Sequence, residues 1–207
     1  MKKLELKMFS NLKNLTLVGI LALAVFAVSC EKEDGILPAP GDDMELKAGK
    51  AVKKGDMSIA EIAINQGFDS LVVALSYVDS ELETGLVDMF LYGTDQYTVF
   101  APTNEAFVAL VGDGEISDLP ADLVLKVLLY HVTDGRRAAN SVLPKKEGQM
   151  KEITTLLGET FDVDNEAKIH TASEGMSSIV TEGGAGVTYN ISASNGIIHV
   201  ISKVMLP

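Results

Sequence analysis

Apolar residues follow two regimes along this chain. Ser58-Ile59-Ala60-Glu61 is a capping-box pattern, and the helix it opens is expected to end at Gly67. Phe68, Leu71, Val72 and Leu75 then recur at helical spacing, as do Leu82, Leu86 and Phe90. Gly93-Thr94-Asp95 turns the chain into a strand over Tyr97–Ala101, which Pro102 ends; Thr103 or Asn104 caps a helix presenting Ala106, Phe107 and Leu110. After a Gly112-Asp113-Gly114 loop, Asp118-Leu119-Pro120 starts a helix that runs through Val132. It is apolar almost all round and therefore expected to be buried. From Ile153 the pattern changes to short alternating runs broken by Gly158, Gly175 and Gly183–Gly186. Val187–Ser192 and Ile197–Leu206, joined across Asn195-Gly196, predict a closing hairpin. Helices first and strands later imply an α+β domain, here residues 57–207.

The N-terminus follows other rules. Lys2, Lys3, Lys7 and Lys13 precede the uncharged stretch Leu15–Val28. That stretch is shorter than the roughly 20 apolar residues of a spanning helix and fits the core of a secretory signal, residues 1–29. Ala27-Val28-Ser29 stand directly before Cys30, the single cysteine of the chain. This arrangement resembles the lipobox of bacterial lipoproteins, with Ala27 where Leu is usual. It implies lipidation at Cys30 and attachment to the membrane through acyl chains. The alternative is an ordinary signal with an incidental thiol. Glu31-Lys32-Glu33-Asp34 resembles a surface-export signal of some Gram-negative lipoproteins, and equally fits a solvated charge run. Residues 31–56, with Pro38, Pro40 and Gly41, predict a tether whose root-mean-square span as a coil is about 28 Å.

Charge narrows the class of partner. Without its first thirty residues the chain keeps 13 basic and 28 acidic residues, near −15. Such a surface repels phosphates, so nucleic acid is not an expected partner. With no second cysteine, stability must come from the core rather than from a disulfide.

Candidate chemistry is sparse. His131 shares a helical face with Leu123, Val124, Val127 and Leu128 and is expected to point inward, with Tyr130 on the side of Lys126. His199 alternates with Ile197 and Ile201 on one side of the closing strand. Two readings follow: the two histidines meet as a metal or catalytic pair, or each fastens the core through hydrogen bonds. The second is favoured, since no third ligand has suitable spacing. His170 is expected at the surface. Asp162, Asp164 and Glu166 alternate and could line a strand as a calcium site, but Ala167 and Ser173 replace the residues an EF-hand needs. The Gly183–Gly186 loop lies between strands and is no phosphate cradle, and Gly-x-Ser-x-Gly, CxxC and HExxH are absent. No catalytic residue, cofactor or metal is therefore expected.

Three segments, Tyr97–Phe107 (YTVFAPTNEAF), Tyr130-His131-Val132 and Asn195–Pro207 (NGIIHVISKVMLP), carry a more specific signal. In this order and spacing they resemble the fasciclin domain over roughly residues 56–207. The resemblance implies a β-wedge of two small sheets with a layer of helices. It also implies a role in adhesion, matrix binding or attachment between cells. It makes Thr103, Asn104, His131, Asn195, Gly196 and His199 structural motif positions. Family members with receptor-binding activity point to the Tyr-His region, which makes Tyr130 the candidate partner contact. Ser202 stands where the family usually has Asp, and Asp134-Gly135-Arg136 reverses the order of an Arg-Gly-Asp tripeptide.

The expectation is thus a non-catalytic, monomeric interaction module. It would be anchored by lipid to a bacterial outer membrane, facing outward or toward the periplasm, and bind a protein or glycan ligand. Two alternatives remain: an accessory lipoprotein of an outer-membrane glycan-uptake system, and a hydrolase built on His131 or His199.

Overall fold

A computed structural model describes residues 54–173, 175–180 and 189–207. The expected signal, Cys30, the expected tether up to residue 53 and the Gly183–Gly186 loop lie outside the described residues.

The helical half comes first. The expected capping box forms at α1 (Ile59–Asn65): the Glu61 amide donates to Ser58 Oγ at 3.3 Å and the Ser58 amide to Glu61 Oε2 at 2.7 Å. Next come α2 (Asp69–Leu82) and α3 (Leu86–Tyr92), separated by left-handed residues at Glu83 and Gly85. Strand β1 (Tyr97–Pro102) leads into α4 (Asn104–Val111), a 3-10 turn at Ile116–Asp118 and α5 (Ala121–Tyr130). The last helix stops two residues earlier than its apolar run predicts. His131 caps it, and Val132–Asp134 becomes β2, pairing antiparallel with β1 through Val132↔Val99 and Thr133↔Thr98. β-branched residues at 132 and 133 gain a strand partner there, which outweighs continuing the helix.

A short α6 (Ala139–Val142) precedes an antiparallel meander of β3 (Lys151–Thr154), β4 (Thr160–Val163), β5 (Lys168–His170) and β6 (Met176–Ser178). The chain closes with β7 (Ile191–Ala193) and β8 (Gly196–Ile201). The expected hairpin exists but is shorter and shifted by one residue: Ser194-Asn195 form the loop, and Gly196 is already strand, opposite Ala193.

Two four-stranded sheets result, ordered β2-β1-β8-β7 and β3-β4-β5-β6. In the first, β1 and β8 run parallel and central, and every residue of β8 is buried. A strand covered on both faces needs a near-continuous apolar run, which Ile197–Ile201 supplies with His199 as its one polar member. On one face, Val99, Ala101, Ile198 and Val200 pack with helix residues such as Leu71, Phe90 and Leu128. On the other, Phe100 and Ile201 meet Ile153, Phe161, Val163 and Ile169 of the second sheet. A bridge between Ile179 and Ile201 links the two sheets. This is the expected α+β wedge with its helical layer.

Candidate functional site

Each of the three motifs carries a polar side chain that bonds the backbone of a distant segment. Asn195 is 2% exposed. Its Oδ1 accepts from the Ile59 amide at 2.8 Å, and its Nδ2 donates to the Phe90 carbonyl at 2.9 Å. These are backbone groups at the first turn of α1 and the last turns of α3, which intrahelical bonding leaves without partners. One side chain thus caps two helices against the hairpin. Gly196 follows because a Cβ there would lie 2.1 Å from the Tyr97 carbonyl oxygen and 2.7 Å from Ile59 Cδ1. Close approach, not turn geometry, requires glycine at this position.

Asn104 acts in the same way just beyond the end of β1. Its Oδ1 accepts from the Ser70 amide at 3.1 Å and its Nδ2 donates to the Gly67 carbonyl at 2.9 Å, securing the joint between α1 and α2. Thr103 is the cap of α4, accepting from the Ala106 amide at 3.2 Å.

His131 and His199 are both buried, 3% and 0% exposed. His131 Nδ1 donates to the Val127 carbonyl at 2.7 Å, and its Nε2 accepts from the Met205 amide at 2.9 Å. His199 Nε2 donates to the Arg137 carbonyl at 2.9 Å, and its Nδ1 faces the Asn190 amide at 3.4 Å while the ring stacks on Phe100. Each ring has one donor and one acceptor nitrogen used, which fixes a neutral tautomer. Burial pushes both down to about 4, against the opposing pull of the Val127 and Arg137 carbonyls. Backbone groups, rather than each other, occupy both rings, so the geometry is that of fasteners.

Tyr130 is not the exposed contact its place beside Lys126 suggests. It is 0% exposed, packs edge-on to Phe161, and donates its hydroxyl to the Thr160 carbonyl at 3.0 Å. The expectation assumed one core on one side of α5. In fact the end of the helix lies between two: Val124 and Leu128 face the helical core, and Tyr130 faces the sheet–sheet core. Burial raises the phenol above its ordinary value, and Glu159 and Asp162 add to this.

The acidic series is also committed to local structure. Asp162 sits in β4, whereas Asp164 and Glu166 fall in the β4–β5 turn. Asp164 accepts from the amides of Glu166 and Lys168, both at 2.9 Å, and from His170 Nε2 at 3.0 Å. Partial burial opposes ionisation, but the His170 bond and the two amides together hold Asp164 below the usual carboxylate range. His170, expected at the surface, is half-buried by this pairing. Among the described residues no group of three or more His, Cys, Asp or Glu is placed to hold a metal.

Sequence reading missed two latches. Arg136 donates to the carbonyls of Ala193 at 2.9 Å and Gly196 at 2.5 Å, gripping the closing hairpin. Its position after Gly135, which has φ +84°, is the only local hint. Asp79 accepts from the Leu86 and Val87 amides at 2.9 and 2.8 Å and from the Thr84 hydroxyl, capping α3 from the preceding helix. Partial burial works against its ionised form, yet these donors outweigh it and leave its pKa lowered. Ser202, where the resemblance leads one to expect Asp, tethers β6: its amide donates to the Ser178 carbonyl at 3.0 Å, and its hydroxyl accepts from the Ser178 amide at 3.2 Å.

A concave feature among the described residues lies on the helical side. It is an apolar groove of about 310 Å³, floored by buried Phe107, Val124 and Leu128 and rimmed by Leu110, Leu123 and Leu206. Those three leucines are 39%, 46% and 39% exposed. Leu123 also corrects the expectation of a fully buried α5, because its outer face forms this wall. The volume is at the lower end of the roughly 300–1,000 Å³ typical of small-ligand pockets.

The sequence of this chain is similar to those of known proteins. The chain is 36% identical over 165 residues to protein sll1483 of Synechocystis, covering 76% of this chain and 78% of that protein. It is 31% identical over 198 residues to the immunogenic protein MPB70 of Mycobacterium bovis, covering 91% of each. A solved FAS1 domain pair from the insect cell adhesion molecule fasciclin I aligns with a TM-score of 0.43 at 15% identity. That alignment covers 66% of this chain and 45% of the solved one, so the chain spans less than half of the pair. The Fasciclin domain family matches residues 68–207, the stretch that holds the Thr103-Asn104 cap, the Tyr130-His131 helix end and the Asn195 latch. The chain belongs to the fasciclin-domain family.

Proposed function

We propose that this chain is a non-catalytic adhesion module, held on a bacterial outer membrane by lipid at Cys30 and presenting its fasciclin domain to a protein or glycan ligand. The observation that carries this reading is the saturation of the motif side chains. His131, His199 and Asn195 are buried with their polar atoms bonded to backbone, and no buried side-chain nitrogen or oxygen among the described residues lacks a partner. A hydrolase needs a base that can reach substrate and change charge near neutrality. Neither histidine meets either need. The fasciclin family is generally one of non-catalytic adhesion modules, which supports the same reading. The uncharged Leu15–Val28 stretch ending at Ala27-Val28-Ser29-Cys30 supports the anchor.

The test uses the full chain in a bacterial host. Metabolic labelling with a radioactive fatty acid is expected to mark the wild type and not Cys30→Ser, and the serine variant is expected to leave the membrane fraction. Cells carrying the wild type are expected to attach to immobilised matrix protein or to partner cells more than cells without it. Equal attachment by both would overturn the adhesion reading, and unlabelled wild-type protein would overturn the anchor.

A further inference from the structure

The helical side of the molecule is charged in an unusual way. Between residues 55 and 125 there are 13 Asp and Glu and no Lys or Arg, whereas residues 126–207 hold nine acidic and eight basic residues. The negative charge of the domain is therefore concentrated on the segment that builds α1 to α5. The apolar groove opens in the same segment, and the exposed residues Asp113, Glu115, Asp118 and Asp122 alternate along the chain with Val111, Ile116, Leu119 and Leu123, which line it. Lys126, one turn further along α5, is the one cation on this stretch of the chain.

We infer that this groove is the docking site for a basic amphipathic helix of a partner protein, whose apolar side chains enter between Leu110, Leu123 and Leu206 while its lysines or arginines face the acidic rim. The inference deepens the adhesion reading by naming a surface and a partner class for it. Apolar walls give the affinity, because burying exposed leucine surface removes it from water. The acidic rim selects the occupant, because like charge across an interface is costly and opposite charge speeds encounter. An anionic lipid or a fatty acid would bring negative charge to a negative rim. A second copy would do the same, since its own groove carries the identical rim. A basic helix satisfies both requirements, with apolar anchors three or four residues apart matching a helix-in-groove arrangement.

The probe is a synthetic amphipathic peptide with leucines at helical spacing and lysines on the polar face, compared with a twin in which glutamates replace the lysines. Fluorescence anisotropy with the full chain is expected to give saturable binding of the lysine peptide and binding at least about tenfold weaker for the twin. Raising the salt should weaken the first and not the second. Leu123→Glu should reduce binding at least about tenfold and Asp113→Lys with Asp122→Lys by a similar factor, at unchanged melting temperature, with Leu123→Met restoring it. Equal binding of both peptides, binding indifferent to Leu123→Glu, or no saturable binding would overturn the inference. So would a dimer in sedimentation that Leu123→Glu dissociates. Cell attachment separates the two proposals: if the wild type attaches and Leu123→Glu attaches equally, the groove assignment falls and the adhesion module stands. If the wild type confers no attachment, the adhesion reading itself falls, whatever the peptides do.

Discussion

The two faces of the central sheet solve different problems with the same strands. Toward the helices, β1 and β8 present Val99, Ala101, Ile198 and Val200, and order is imposed by polar caps reaching across: Asn195 to α1 and α3, Asn104 to α2, Asp79 to α3. Toward the second sheet they present Phe100, His199 and Ile201, and order comes from a cluster of rings. Phe100 lies edge-on to Phe161 at 5.1 Å between centroids, and Tyr130 meets Phe161 at 6.0 Å. Where strand meets strand, ring contacts dominate, with the Tyr130 hydroxyl and His199 as the polar fasteners among them. Helices of seven to fourteen residues also expose unpaired termini, and those need specific partners. The helical face is also where acidic charge and an open groove coincide, and the floor of that groove, Phe107, Val124 and Leu128, is part of the core itself.

Acid is the strongest way to break both faces at once. His131 fastens α5 to the C-terminal segment through Met205, and His199 stacks on Phe100. Both have folded values near 4, below the ordinary 6.5. Above pH 6.5 both are neutral in folded and unfolded chains, and their stabilising geometry is fully present. As pH falls from 6.5 toward 4 the unfolded chain takes up protons that the folded one refuses, so stability declines through that window. A depression of this size corresponds to about 3 kcal/mol for each histidine, a large share of the 5–15 kcal/mol typical of a domain. Denaturant titrations between pH 8 and pH 4 should show the loss. Each His→Gln variant should be less stable at pH 8 but have a flatter slope; an unchanged slope in the double variant would remove the histidines from the account.

The next largest effect separates the latches. Asn195→Ala leaves the Ile59 N–H and the Phe90 carbonyl buried without partners, and should cost about 3 kcal/mol by urea unfolding. Asn104→Ala removes a comparable pair of bonds at a half-exposed site, where water can substitute, and should cost about 1 kcal/mol. Equal losses would mean that burial does not set the difference. Asn195→Asp keeps the acceptor, loses the donor and adds a buried charge, so it should fall nearer to Ala than to wild type.

How much of this is legible in the sequence depends on how far each residue reaches. The capping box at Ser58 and Glu61 and the Thr103 cap involve partners three residues away, and the pattern shows them directly. Asn195 is visible only as a turn residue, because its partners lie 136 and 105 residues distant. Gly196 is visible for the wrong reason, since close approach to Tyr97 has no signature in local spacing. Asp79 lies seven residues before Leu86, outside the cap position that sequence rules search. The two-sided core misplaces Tyr130: helical periodicity assigns one inward face, and a helix end wedged between two cores has two. The groove is hidden in the same way, because the apolar positions that line it look identical to those that fill a core.

Tyr130 gives the smallest effect and the sharpest test of that point. If the residue were a partner contact, Tyr130→Phe would weaken attachment and leave stability nearly unchanged. In the structure its hydroxyl donates to the Thr160 carbonyl at 3.0 Å, joining the end of α5 to β4, and its ring lies among Phe161 and the residues of the sheet–sheet core. Removing the oxygen therefore costs one hydrogen bond and leaves that carbonyl to find water, about 1 kcal/mol. Attachment at fixed folded-protein concentration should not change. The opposite pattern, intact stability with lost attachment, would require α5 to open and expose the ring. The exposed leucine of the same helix supplies the internal control: Leu123→Glu should leave the melting temperature where it is and alter binding alone.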